Sequence, residues 1–334
     1  MAKMSGQNAS EEKTQNQLKI MAKRNYFDRL IQSGTFRFEK LVLQDIDNEP
    51  VLRVNYPRMA EEEICLFHRN VDNGDQYFRM MHQTIQNGLK ARKGIPVVRF
   101  ADGEYAFYRY SLKCNGLYQQ AESRLAIKKA MPAHIEALRL LTQSGVFASL
   151  VFPGNTQVED KRFYSFWRRA KMDSSAITFL DFLFSNGIEL EQNNYLPFYV
   201  VYAYLTSALF AGLVDKKNVC LINSECQMDS CRQWFARFTS HPALTFVDIP
   251  NSYVATQWSS IKEKVLNRIP PKTELCLVGA GVGALLVCVD IAGRFSIPAI
   301  DTGHVLNMMN GREDKSKGPR MYTLWKTPEN KIYE

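Results

Sequence analysis

Residues 97 to 108 read VVRFADGEYAFY: Arg99 near the end of an apolar run, then Asp102 and Glu104 with one glycine between them. If the backbone stays extended there, side chains 102 and 104 point to the same side. Two such carboxylates can share a hard divalent cation, Mg²⁺ or Mn²⁺, whose shell is commonly completed by substrate phosphates. A plain Asp-Gly turn beside a solvated Glu is the competing reading. A second stretch, GAGVGALLVCVDIAGRF, follows another apolar run. Gly279, Gly281 and Ala284 fit G-x-G-x-x-G/A, a turn whose small residues let backbone approach a diphosphate at a helix N-terminus. A tight packing turn between strand and helix would use the same letters.

Two further places carry polar chemistry. In AIDTGH, Asp301 and His304 lie at the end of an apolar run, across a glycine-containing turn. A histidine beside an aspartate there suits a general base or a phosphate contact, and equally a structural hydrogen bond. Asp301 also stands where a ribose-binding acid would sit in a dinucleotide enzyme. Asn223, Ser224 and Glu225 follow one run, and Asp248, Pro250 and Asn251 another. These are capping or turn residues first and ligand contacts second.

The elements that must position these groups alternate regularly. Apolar, β-rich runs occur at Ile95–Phe100, Val146–Phe152, Asn218–Ile222, Leu244–Ile249, Glu274–Val278 and Ile297–Ile300. Helical patterns lie between most of them, at 122–143, 228–238 and 255–267. Near-continuous Val, Ile and Leu runs predict strands covered on both faces. Strand–helix alternation predicts an α/β fold: a Rossmann-like, mostly parallel sheet flanked by helices. Ligands then bind beyond the carboxyl ends of the strands, where the candidate residues fall. Residues 1–85 read as an N-terminal tail and a mainly helical extension, with FRFEKLVLQ ambiguous between strand and helix. Residues 86–334 read as the main domain.

Bulk composition narrows the class. The chain has 334 residues, 46% hydrophobic and 23% charged, enough for a real core and against disorder. A net charge of +8 suits an anionic partner without choosing among nucleic acid, acidic lipid and a phosphorylated substrate. Seven cysteines, several among Val, Leu and Ile, predict free thiols and a cytoplasmic setting. The spacing of Cys226 and Cys231 is poor for zinc. The first 25 residues contain no apolar signal segment. Residues Leu196 to Val214 carry no charge and read as a buried core helix rather than a membrane span. KRFYSFWRRAK, residues 161–171, mixes basic and aromatic residues: an amphipathic helix first, then a surface for anionic lipid, then RNA.

Taken in order, these stretches resemble a known family. VVRFADGEYAFY resembles the R-x-G-D-G-E opening of the GT-D type glycosyltransferase domain, formerly a domain of unknown function. LVGAGVGALLVCVDIAGRFSIPAIDTGH is similar to that family's late G-A-G stretch and its D-x-G-H ending. FVDIPNSYVATQWSSI looks like its intermediate strand and P-x-N-(A/S) stretch. The likeness spans roughly residues 90 to 308. It departs at Ala101, where the family usually has Gly, and at Val282-Gly283.

The resemblance implies sugar transfer from a nucleoside diphosphate sugar, a UDP-sugar first, to a glycan, glycoprotein or lipid-linked acceptor. It implies Mn²⁺ or Mg²⁺ at Asp102 and Glu104. Arg99, Asp102, Asn223, Glu225, Gly279 and Gly281 would then bind the donor. Glu104, Asp301 and His304 would be the catalytic set, one of them the base for an acceptor hydroxyl. No nucleic-acid partner is expected. Peripheral contact with the inner face of a membrane and a homo-oligomer are both compatible with it. The alternative is a Rossmann-type enzyme using NAD or S-adenosylmethionine. Against a dehydrogenase, its fingerprint normally opens the first βαβ unit, whereas here only about 50 residues follow it.

Overall fold

The computed structural model describes residues 26–43, 52–53, 64–114, 118–157, 173–311 and 322–323. The tail 1–25, the basic-aromatic segment 161–171 and most of 312–334 lie outside the described residues.

Seven parallel strands form the central sheet. Helix α1 (Tyr26–Gln32) and strands β1 (Phe36–Lys40) and β2 (Ile64–His68) precede it, followed by α2 (Gly74–Ala91). The sheet strands are β3 (Ile95–Phe100), β4 (Val146–Ser149), β5 (Tyr195–Pro197), β6 (Asn218–Asn223), β7 (Ala243–Asp248), β8 (Leu275–Val278) and β9 (Pro298–Asp301). Their spatial order is β7-β6-β8-β9-β3-β4-β5, every neighbouring pair parallel. The helices between them are α3 (Asp102–Tyr108), α4 (Arg124–Ser144), α5 (Ser175–Ser185), α6 (Phe198–Leu205), α7 (Ala208–Leu213), α8 (Met228–Ala236), α9 (Val254–Leu266) and α10 (Ala284–Phe295). Helix α11 (His304–Met309) follows β9.

The six apolar runs are thus all strands, and the interior ones are buried along their length. Covered on both faces, they need no polar alternation. The edge strand β7 is the exception, with partly exposed residues.

Two expectations change. The uncharged stretch 196–214 is not one helix. It completes a seventh strand, β5, and then breaks into α6 and α7, because Ser207 caps a new helix by accepting the Phe210 N–H at 3.2 Å. Among the described residues no helix is long and apolar enough to cross a membrane. The N-terminal extension, expected to be mainly helical, includes an antiparallel β1–β2 ladder in which Phe36 faces His68. FRFEK alternates side chains across a half-buried surface, which suits a strand.

This extension also shares the core of the sheet. The Leu66 N–H donates to the Val151 carbonyl at 3.0 Å, and Tyr195 Oη donates to the Leu66 carbonyl at 2.9 Å. A boundary at 85/86 falls within α2, whose Gly88 abuts Ile95 and Pro298 at the start of two sheet strands.

Beside the sheet, α9 and α10 pack together. Trp258, 3% exposed, donates its indole N–H from α9 to Asp290 of α10 at 2.6 Å.

Candidate functional site

At the C-terminal edge of the sheet, β9 lies between β8 and β3. Strands β6 and β8 are neighbours whose onward connections leave in opposite directions, to β7 and to β9. Such a switch point opens a crevice between the loops that follow the two strands. Asn223 closes β6 and Gly279 follows β8. A Cβ on Gly279 would stand 3.1 Å from Asn223 Oδ1 and 3.2 Å from Leu306 of α11. The two strand ends and the helix that begins with His304 therefore meet. The Asn310 amide at the end of α11 donates to the Glu225 carbonyl at 3.3 Å and accepts the Gln227 N–H at 2.8 Å. This brings the loop carrying Glu225 alongside α11.

The glycine turn has the context its sequence requires. Strand β8 leads through Gly279 and Ala280 into a single 3₁₀ turn, Gly281–Gly283, and then into the 12-residue helix α10. Gly281 has φ +53°, a left-handed conformation that side chains disfavour, and it faces open space. Gly283 is the packing glycine: a Cβ there would lie 2.7 Å from Val254 at the start of α9. The packing reading of the turn is thus carried by Gly283, while Gly281 leaves its side of the backbone open.

The carboxylate pair is arranged differently from the extended expectation. The backbone turns helical at Asp102, so Asp102 and Glu104 are the first and third residues of α3. Asp102 is exposed, while Glu104 is half-buried and folds back so that its Oε2 accepts the Ala101 N–H at 2.9 Å. That bond is the glutamate half of a capping box, and it fixes where the helix begins. Burial pushes the Glu104 carboxyl up to about 7. The Ala101 N–H and Arg99 pull against that shift, and the nearby Asp301 adds to it. Helix α3 is anchored from below. Tyr105 Oη donates to the Leu150 carbonyl at 2.8 Å and lies 2.8 Å from Ser149 Oγ, while its ring packs on Phe179.

The acidic helix start and the glycine turn come together. Residues of α3 and of the Gly281–Gly283 turn approach within 8 Å between Cα atoms. Segments some 180 positions apart in sequence thus lie side by side.

Arg99 and Asp301 stand apart in kind. Both are almost fully buried, and Arg99 Nη2 donates to Asp301 Oδ1 at 3.0 Å. The Arg99 backbone N–H donates to Oδ2 at 3.2 Å, and its Nε donates to the Asp301 carbonyl at 3.0 Å. The Gly303 N–H donates to Oδ1 at 3.0 Å. The guanidinium also lies 5.1 Å from the Phe198 ring centroid and 4.6 Å from that of Tyr202, both on α6. Gly303, at φ +45°, must be glycine: a Cβ there would overlap the guanidinium. Asp301 thus has both carboxylate oxygens occupied by buried donors. Arg99 likewise ties the ends of β3 and β9 together.

Other expectations resolve simply. Asp248 is paired with Arg268 at the surface. Cys65, Cys220, Cys276 and Cys288 are buried free thiols. Among the described residues no group of three His, Cys, Asp or Glu converges to hold a metal. Asp102 and Glu104 are then the two carboxylates that would hold the expected cation, a number such ions use when phosphate oxygens complete the shell. Sequence reasoning missed Phe198 and Tyr202, the aromatic seat of Arg99. No local pattern marks them, because they lie about 100 residues from the arginine they support.

No protein-family model matches the chain. A search of curated proteins finds no match either. Among solved structures, the chain is similar to "A New Glycosyltransferase (DUF1792) from Streptococcus sanguinis". Identity is 15%, coverage is 72% of this chain and 88% of that one, and the TM-score is 0.40. It is also similar to a structure described as "The highly conserved domain of unknown function 1792 has a distinct glycosyltransferase fold". There the identity is 14%, the coverage 69% and 83%, and the TM-score 0.40. At such identities and TM-scores the likeness assigns no residue and no reaction to this chain.

Proposed function

We propose that this protein is a metal-dependent glycosyltransferase. It would move a sugar from a nucleoside diphosphate sugar, a UDP-sugar first, to a glycan, glycoprotein or lipid-linked acceptor. The observation that carries the reading is the approach of the Asp102–Tyr108 helix to the Gly281–Gly283 turn at the C-terminal edge of a parallel sheet. That juxtaposition supports one bound diphosphate touched by both. The basic-aromatic segment 161–171 supports a lipid-linked acceptor among the three.

Departure of a nucleoside diphosphate leaves charge on its phosphate oxygens. Mn²⁺ or Mg²⁺ held by Asp102 and Glu104 would supply positive charge there. The small residues Gly279 and Gly281 let backbone come close to the diphosphate, at the start of the long helix α10. Asn223 borders the same crevice. Glu104, with its carboxyl near 7, can hold or release a proton in the neutral range and suits the acceptor hydroxyl. His304, at the start of α11, is the second candidate for that task. Asp301 and Arg99 hold the edges of β9 and β3 in register beneath these groups.

A NAD or S-adenosylmethionine enzyme is the other reading. The glycine turn counts against it, because that turn follows β8, the sixth sheet strand in chain order, instead of opening the sheet.

The test is a panel of UDP-, GDP- and dTDP-sugars incubated with the protein and Mn²⁺. Mn²⁺-dependent hydrolysis or transfer of at least one of them is expected, with thermal stabilisation by its nucleoside diphosphate. Stabilisation by NAD or S-adenosylmethionine, with every sugar nucleotide left intact, would overturn the proposal.

A further inference from the structure

Gln120 lies in the loop between α3 and α4, directly after a short ladder that pairs Lys113–Cys114 with Tyr118–Gln119. Its backbone is tied down, since the Gln120 N–H donates to the Leu112 carbonyl at 2.7 Å. Two residues on, the Glu122 carboxylate accepts from Thr256 Oγ1 at 2.5 Å and Gln257 Nε2 at 2.6 Å. Both partners are in the first turn of α9, whose Val254 presses on Gly283 of the glycine turn. The loop is therefore fastened to the element that backs that turn.

The side chain is treated differently. Gln120 is only 9% exposed, yet its Nε2 has no hydrogen-bond partner among the described residues. That nitrogen is pressed against Gly103, where a Cβ would stand 3.2 Å away. Gly103 separates Asp102 from Glu104. A buried amide N–H₂ without an acceptor costs stability, and native folds pair such groups almost without exception. An exception needs a cause, and strain, a bound water and a functional partner are the usual ones.

We infer that the Gln120 carboxamide is a ligand-binding donor, giving a hydrogen bond to an oxygen of the nucleotide sugar beside the Asp102–Gly103–Glu104 turn. This rests on the function proposed above. The oxygen belongs either to a phosphate or to a sugar hydroxyl, both acceptors for a neutral amide. A neutral donor beside two acids discriminates by geometry and not by charge, and a site built this way penalises a ligand lacking the acceptor.

Gln120→Met tests it, because methionine keeps the length and removes both polar atoms. Two quantities are compared with wild type: the melting temperature without ligand, and the dissociation constants for the nucleotide sugar and for its nucleoside diphosphate, each with Mn²⁺. The expected result is an unchanged or raised melting temperature and about 10-fold or greater weakening toward the nucleotide sugar. Equal weakening toward the nucleoside diphosphate places the contact at phosphate; weakening confined to the nucleotide sugar places it at the sugar. Unchanged affinity in the variant, with wild type binding normally, removes Gln120 alone from the site. A melting temperature several degrees lower also overturns the assignment, because it means the amide serves the fold. Failure of wild type itself to bind any sugar nucleotide overturns the proposed function, and this inference with it.

Discussion

Two adjoining strand ends hold buried polar groups in opposite conditions. Where β3 meets β9, Arg99 and Asp301 satisfy each other, with Gly303, Phe198 and Tyr202 closing the shell. A few residues on, at the start of α3, Asp102 faces solvent, burial pushes the Glu104 carboxyl up to about 7, and the Gln120 amide nitrogen has no hydrogen-bond partner among the described residues. The first cluster is closed on itself; in the second, one buried amide nitrogen is left without an acceptor among the described residues. Polar residues at neighbouring strand ends thus differ in how fully they are satisfied, and that difference is read from their surroundings, not from residue type.

Substitutions at four residues sharpen or break that contrast. The largest effect is expected at the complete cluster. Asp301→Asn leaves a buried guanidinium without its counter-charge and should cost about 3–5 kcal/mol in denaturant unfolding. Replacing Arg99 and Asp301 together by apolar residues should cost less than Asp301→Asn alone, because no charge is then stranded. A double variant losing the sum of both single losses would refute the mutual compensation.

Glu104→Gln should act in the other direction. A carboxyl raised above its ordinary value is more readily ionised in the unfolded chain. Its contribution is therefore fully present below the unfolded value and is lost as pH rises toward about 7. Removing the charge should raise stability above pH 7 by roughly 1–2 kcal/mol, reduced by the partial exposure of the site, and leave it little changed at pH 4. Urea midpoints measured across that range, without added metal, decide the point; a variant that loses stability at high pH would show that the carboxylate is structurally required.

The smallest change in stability is expected at Asp102→Asn, within about 0.5 kcal/mol, as for exposed positions generally. Metal-dependent transfer should nevertheless disappear. Full retained activity would remove Asp102 from the site.

The sheet was legible because parallel strands covered on both faces leave uninterrupted apolar runs, and each of the six runs proved a strand. Strand β5 was not, because three residues of YLP merge into the apolar helix that follows. The glycine turn was legible from its spacing and its context. The geometry of Asp102 and Glu104 was misread. Acids at the first and third positions after Ala101 are a helix-start signal, which the choice between an extended strand and an Asp-Gly turn left unweighed. The Arg99–Asp301 pair spans 202 positions, and nothing near either residue announces it. Gln120 is one glutamine in YQQAE; its meaning lies wholly in what surrounds it, which only the fold supplies.

The indole of Trp258, bonded to Asp290 between α9 and α10, stands four positions beyond Val254, the residue that abuts the glycine turn. With the chain's three other tryptophans replaced by phenylalanine, its emission becomes an optical gauge of that corner of the molecule, one that needs no attached dye.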